Sequence, residues 1–156
     1  MHYTAIQLSE TEGVARLVLH RPDKLNSFTE VMHGEVRHAL DAVQQSATAR
    51  VLVVTGAGRG FCAGQDLADD CMQKINGKMP DIGTVVEQHY KPMVMRLANL
   101  KVPTVAAVNG IAAGAGVSLA LACDLVVASE SASFVQAFSK IGLVPDTGST
   151  WFLPQR

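Results

Sequence analysis

A glycine-rich segment set between two uncharged apolar runs constrains this chain more than any other feature. The segment is Asn109-Gly110-Ile111-Ala112-Ala113-Gly114-Ala115-Gly116. Before it, Val102-Pro103-Thr104-Val105-Ala106-Ala107-Val108 is rich in β-branched residues and reads as a strand. After it, Val117-Ser118-Leu119-Ala120-Leu121-Ala122 reads as a helix. No charged residue occurs from 102 to 123, a length that could cross a bilayer. Pro103, Asn109 and the glycines at 110, 114 and 116 argue against one continuous spanning helix. A buried strand, a turn and a buried helix explain the run better. The chain can bury it: 156 residues, 48% hydrophobic and 17% charged, fit one ordinary domain with a core and exclude disorder.

A strand that passes through small residues into a helix leaves backbone N–H groups unpaired at the helix start. Those donors, with the positive end of the helix dipole, can hold an anion or a developing oxyanion. A second turn of this kind, Gly60-Phe61-Cys62-Ala63-Gly64-Gln65-Asp66-Leu67, follows the strand-like residues 50–55. Alone, each is weak evidence, because most glycine turns are only turns. Two in one domain suggest a two-donor site. Neither is a phosphate loop, since no Gly-Lys-Ser/Thr follows. Neither is a dinucleotide fingerprint, since Leu119 stands where the third glycine belongs. No Gly-x-Ser-x-Gly elbow occurs.

The net charge of -1 favours neither nucleic acid nor a membrane surface as partner. Cys62, Cys71 and Cys123 are odd in number and lack metal-ligand spacing. They read as reduced thiols of a cytoplasmic protein with no metal site. The first residues show no basic region followed by an apolar one, the pattern of a signal peptide.

Residues 5–8 and 14–19 read as a hairpin. Ser27, with Glu30 three residues on, reads as the capping box of a helix. Phe28, Met32, Val36, Ala39, Leu40 and Val43 carry that helix to about Ser46. Residues 69–82 read as a mobile loop and 83–99 as a helix. Residues 124–128 and 133–135 read as strands, and 137–141 as a short helical turn. The order is ββα followed by strand–helix units, an α/β pattern. Large apolar residues continue to the last positions, Trp151-Phe152-Leu153-Pro154-Gln155-Arg156, and suggest a fragment of a longer protein.

Asp146 follows Val144-Pro145 and precedes Thr147-Gly148, with Phe138, Trp151 and Phe152 near in sequence. Two readings stand side by side. One is a turn or cap aspartate. The other is a carboxylate in apolar surroundings, whose raised pKa makes it a usable proton shuttle.

Phe61-Cys62-Ala63-Gly64-Gln65-Asp66-Leu67 and Asn109-Gly110-x-Ala112-x-Gly114-Ala115-Gly116, in that order, resemble the crotonase (enoyl-CoA hydratase/isomerase) superfamily. Arg21-Pro22-x-Lys24-Leu25-Asn26-Ser27 is similar to its coenzyme A-binding loop. The resemblance implies a crotonase-like ββα spiral over residues 1–156, lacking the C-terminal helical region. It implies an oxyanion hole made by the backbone N–H groups of Gln65 and Ala115. Gly64 and Gly116 would allow close approach to the ligand. Lys24, Leu25 and Ala63, Gly64, Gln65, Asp66 and Leu67 would hold coenzyme A, largely through backbone atoms, so that the side chains at 65 and 115 matter little.

Hydratases of the superfamily use two glutamates, which would fall at Ser118 and Phe138. Neither residue here can hold and activate water. Asp146 matches the carboxylate used by several isomerases, so the resemblance implies isomerisation by proton transfer. Residues 60–67 and 137–146 look closest to members that isomerise a ring-epoxide acyl-CoA in aromatic degradation. Apolar Phe138 and Trp151 have two readings, as a wall suited to an aromatic or cyclic acyl group and as plain core. A Δ3-Δ2 enoyl-CoA isomerase and an inactive acyl-CoA-binding fragment stay open. The expected partner is an acyl-CoA thioester, with no metal or redox cofactor, in a homotrimer or hexamer when full length.

Overall fold

The computed structural model describes residues 2–73 and 80–155. Strands β1 (Ile6–Thr11) and β2 (Val14–Leu19) form the expected antiparallel hairpin. In β2, Ala15, Leu17 and Leu19 are buried while their neighbours face out, the period-2 pattern of a half-buried strand. Helix α1 (Glu30–Gln45) lays Met32, Val36, Ala39, Leu40 and Val43 against the core.

Three ββα units follow. In the first, β3 (Val51–Gly56) leads through β4 (Gly60–Cys62) to α2 (Ile82–Val85) and α3 (Lys91–Ala98). In the second, β5 (Thr104–Val108) leads through β6 (Ile111–Ala113) to α4 (Ala115–Leu121). In the third, β7 (Leu125–Ala128) leads through β8 (Ser133–Val135) and a 3-10 turn, Ala137–Ile141, to α5 (Ser149–Phe152). The long strands build one sheet in the order β1-β2-β3-β5-β7, parallel from β2 onward. The short strands build a second parallel sheet, β4-β6-β8. Each unit thus steps from the large sheet to the small one before its helix, which is the expected α/β ββα spiral.

Two asparagine amides, Asn26 buried and Asn109 partly so, hold the steps together. Asn26 donates to the carbonyls of Ala57 and Gly60, both at 2.9 Å. Asn109 donates to the Gly58 carbonyl at 2.9 Å and accepts from the Gly56 N–H at 3.2 Å. These bonds satisfy carbonyls that no ladder reaches where the chain leaves one sheet for the other.

Several sequence expectations need correction. The cap of α1 is Thr29, whose side chain accepts from the Met32 N–H, not Ser27. The helix cannot begin earlier, because the backbone of Phe28 forms a parallel bridge with Gln65. The two glycine segments contain strands β4 and β6 and are not simple turns. Only the second leads straight into a helix; the first continues into a loop and the 3-10 turn Asp70–Met72. The helix expected over 83–99 starts at Ile82 and carries a π turn, Val86–Tyr90, ahead of Pro92. The Lys91 N–H reaches back to the Val86 carbonyl. Pro92 has no N–H to donate, and the ladder is re-phased just before it. Of the loop expected over 69–82, residues 74–79 lie outside the described residues. Among the described residues no helix is long and apolar enough to cross a membrane.

Candidate active site

The first donor is built where β4 ends. The chain turns through Ala63 and Gly64, the latter at φ +89°. The Phe28 N–H donates to the Gly64 carbonyl at 2.7 Å, and the Asp66 N–H donates to the Phe28 carbonyl at 2.8 Å. In a trans peptide the N–H points opposite to the C=O. The Gln65 N–H therefore faces away from Phe28, and among the described residues it meets no acceptor.

The second donor is the Ala115 N–H, at the first position of α4. The Gly114 carbonyl accepts from the Val117 N–H at 3.0 Å and the Ser118 N–H at 3.3 Å, inside the helix. The Ala115 N–H on the same peptide is directed out of the helix start, one of the donors every helix leaves unpaired. The two segments almost touch. A Cβ on Gly64 would stand 2.8 Å from the Ala113 carbonyl oxygen and 3.4 Å from the Ala115 nitrogen. No side chain fits between them, which is why the approach needs glycine.

Both segments line one cavity of about 270 Å³, and Asp146 lines it too. The remaining wall is largely apolar, including Leu67, Met72, Val86, Phe138 and Leu143. The backbone of Asp146 is anchored: its carbonyl accepts from the Ser149 N–H at 2.9 Å and the Ser118 hydroxyl at 3.3 Å. Thr147, in the left-handed region at φ 54°, donates its hydroxyl to the carboxylate at 2.7 Å. Burial pushes the Asp146 carboxyl above the ordinary carboxylate range, although the Thr147 bond acts the other way. Both readings of this residue fit its position: its carbonyl opens the turn into α5 by accepting the Ser149 N–H, and its carboxyl group borders a largely apolar cavity.

Gln65, Ala115 and Asp146 are thus brought together, with Ala63, Gly64 and Leu67 on the same wall. Lys24, Leu25, Asp66 and Gly116 do not line the cavity. Lys24 is exposed in the 3-10 turn Pro22–Lys24. Leu25 touches the site segment from outside, accepting the Ala63 N–H on its carbonyl at 2.9 Å. Asp66 pairs with Arg21 at 2.9 Å. Its burial acts to raise the carboxyl, but the Arg21 and Ala68 hydrogen bonds and the Arg21 charge hold it below the ordinary range. Gly116 is required by packing, since a Cβ there would overlap the Cys62 carbonyl oxygen.

Three further expectations change. The Gln65 side chain is not idle: its Oε1 accepts from the Tyr90 hydroxyl at 2.8 Å. Trp151 is 68% exposed and forms no part of the cavity, whereas Phe138 does. Ser118 is buried away from the cavity, its hydroxyl 2.6 Å from that of Ser149. A carboxylate in its place would have to displace that contact.

Two residues outside the sequence motifs join the site: Tyr90, which lines the cavity, and His33 behind it. The signal was present for both. Tyr90 stands two residues before a proline in a helical stretch, and His33 lies three residues before Val36 and seven before Leu40, on the core face of α1. Among the described residues no group of three or more His, Cys, Asp or Glu could hold a metal ion.

A sequence profile described as enoyl-CoA hydratase/isomerase matches residues 9–156. The chain is 54% identical to the 1,2-epoxyphenylacetyl-CoA isomerase of Escherichia coli (strain K12) over 149 residues, 95% of this chain and 56% of that protein. It is 43% identical to a Rhodobacter capsulatus protein named probable enoyl-CoA hydratase, over 100% of this chain and 58% of the relative. Among solved structures, an enoyl-CoA hydratase from Polaromonas sp. JS666 superposes with a TM-score of 0.87 at 34% identity, covering 97% of this chain and 58% of that one. The chain therefore spans a little over half the length of these relatives. With the profile match, the shared ββα spiral and paired glycine segments where the resemblance placed them, the chain belongs to the enoyl-CoA hydratase/isomerase family.

Proposed function

We propose that this chain is the thioester-binding core of an acyl-CoA isomerase. One observation carries the reading: a single raised-pKa carboxylate, Asp146, shares a largely apolar cavity with two backbone N–H groups that meet no acceptor among the described residues. The Gln65 and Ala115 N–H groups would donate to the thioester oxygen as negative charge develops on it. Each such donor lowers the barrier by about 3 kcal/mol in comparable sites. Asp146 would take a proton from one carbon of the acyl group and return it to another. Such a reaction needs neither a metal nor a redox cofactor, and coenzyme A serves as the substrate's handle.

Water addition is disfavoured by the residues at two positions, one on the cavity wall and one outside it. At the two positions where the resemblance places glutamates, Ser118 is buried against Ser149 and Phe138 offers only a ring. The acyl substrate we propose is the ring-1,2-epoxide of phenylacetyl-CoA, converted to the oxepin-CoA. The 54% identity to the Escherichia coli isomerase and the apolar wall with Phe138 support it. Lys24, Leu25 and residues 63–67 would flank the coenzyme A. The working enzyme would be a cytoplasmic homotrimer or hexamer.

A panel of ring-epoxide, 3-enoyl and 2-enoyl thioesters tests this. Turnover of the ring-epoxide, with no hydration of the 2-enoyl thioester, is expected. Preference for the 3-enoyl thioester would move the assignment to a Δ3-Δ2 enoyl-CoA isomerase. Hydration of the 2-enoyl thioester would overturn the isomerase reading, and binding without any turnover would leave a non-catalytic acyl-CoA-binding chain.

A further inference from the structure

We infer that Tyr90 and His33 are positioning residues for the Gln65 peptide, gripping its side chain from behind and setting the direction of its N–H into the cavity. The inference rests on the proposed role of that N–H as an oxyanion donor. The Gln65 amide is held from three sides. The Tyr90 hydroxyl donates to Gln65 Oε1 at 2.8 Å. His33 Nε2 lies 3.3 Å from the same oxygen. Gln65 Nε2 faces Cys71 Sγ at 3.6 Å.

An amide oxygen only accepts, so with Oε1 in this orientation the proton of His33 sits on Nε2. That leaves Nδ1 as the lone-pair side of a neutral ring, and Nδ1 is the buried His33 atom with no partner among the described residues. Burial keeps the ring neutral, pushing its pKa down to about 3. Both donors are therefore fixed in the form that grips Gln65. Tyr90 is likewise kept protonated, burial and the nearby acidic groups raising it well above 10.

The rings that carry these donors are wedged in place. His33 stacks on Phe28 with centroids 4.6 Å apart and on His89 at 5.3 Å, and meets Tyr90 edge-on at 4.4 Å. Phe28 is also the residue whose N–H holds the Gly64 carbonyl. One cluster thus clamps the donor peptide twice, through its carbonyl and through the Gln65 side chain. The π turn ahead of Pro92 ends at Tyr90 and brings it into the cluster. A core that needed only filling would hold apolar side chains here, since polar groups taken from water cost stability unless they are bonded.

Tyr90→Phe keeps the ring and removes only the hydroxyl; Gln65→Ala keeps the N–H and removes the handle. The probe is phenylacetyl-CoA with a 13C-labelled thioester carbonyl, read by the bound carbonyl stretch and by α-proton exchange in heavy water. We expect Tyr90→Phe to lower kcat for exchange about tenfold, as for a slightly misplaced catalytic group, with KM within about twofold. The carbonyl stretch should move back toward its value in free solution. His33→Phe, which keeps the stack, should act in the same direction. The Tyr90→Phe/Gln65→Ala double variant should be no worse than the worse single variant, the mark of one shared interaction.

If the wild-type chain shifts the carbonyl but folded Tyr90→Phe and His33→Phe variants shift it equally, the inference is overturned and the oxyanion reading stands. If the wild-type chain does not shift the carbonyl at all, the oxyanion reading itself is overturned, and the inference with it.

Discussion

Replacing Gly64 with alanine should injure fold and catalysis together, by amounts the geometry sets. Gly64 sits at φ +89°, where a residue with a Cβ is strained by about 1–2 kcal/mol. The new Cβ would lie 2.8 Å from the Ala113 carbonyl oxygen, closer than real Cβ atoms come to backbone. That oxygen belongs to β6, which is paired on both edges and cannot swing aside. Relieving such overpacking costs about another 1–3 kcal/mol. The sum, roughly 2–5 kcal/mol, corresponds to a fall in Tm of about 4–20 °C for a chain of this size. The cheapest relief moves the 64–65 peptide away from Ala113 and Ala115, which takes the Gln65 N–H out of line. Losing one such donor costs about 100-fold in kcat or more. Thermal unfolding and α-proton exchange of phenylacetyl-CoA measure both effects. A Gly64→Ala chain with wild-type Tm and kcat would refute the close-approach argument. A chain with lower Tm and unchanged kcat would separate the glycine from the donor site.

Other expectations follow from single contacts. Gly116→Ala should destabilise the chain by about 1–3 kcal/mol, because its Cβ would overlap the Cys62 carbonyl; denaturant unfolding reads this. Glu35 accepts from the N–H groups of Thr4, Ala5 and Ile6 and from the Thr4 hydroxyl. Burial acts to raise its carboxyl, but these bonds outweigh burial and hold it below 4.5. The stabilisation is therefore complete above about pH 4.5 and lost as pH falls through the folded pKa. Glu35→Gln should cost about 2 kcal/mol at pH 7 and flatten the acid limb of the stability curve. The catalytic rate should show the opposite displacement: Asp146 must be ionised to accept a proton, so the acid limb of kcat lies above 3.8. Thr147→Val removes the hydrogen bond that favours the carboxylate and should move that limb higher still.

Periodicity made much of this fold legible. The alternation of residues 14–19, the apolar stripe from Met32 to Val43 and the β-branched runs at 51–55 and 104–108 reflect burial within single elements, and each formed as read. The short sheet was hidden because its strands have three residues each and pair only across long sequence separations, Gly60 with Ile111 and Ile111 with Ser133. No local pattern can report such pairing. Ser27 lost the cap to Thr29 for the same reason, since Phe28 is held by a bridge to a residue 37 positions on.

The site divided along the same line. Gln65, Ala115 and Asp146, which the family resemblance picked out on its glycine motifs and a lone carboxylate, line one cavity. Lys24, Asp66 and Gly116 share those motifs but face solvent, Arg21 and Cys62, and only packing decides which way a motif residue turns. Tyr90 and His33 enter from helices whose apolar stripes gave them the look of core residues.

The most direct test is α-proton exchange of phenylacetyl-CoA in heavy water by the wild-type chain and by Asp146→Asn, with thioester binding measured alongside. The wild type should exchange the proton, and the variant should lose about 100-fold or more, the contribution of a positioned base, with binding retained. Exchange by Asp146→Asn at the wild-type rate would contradict that role.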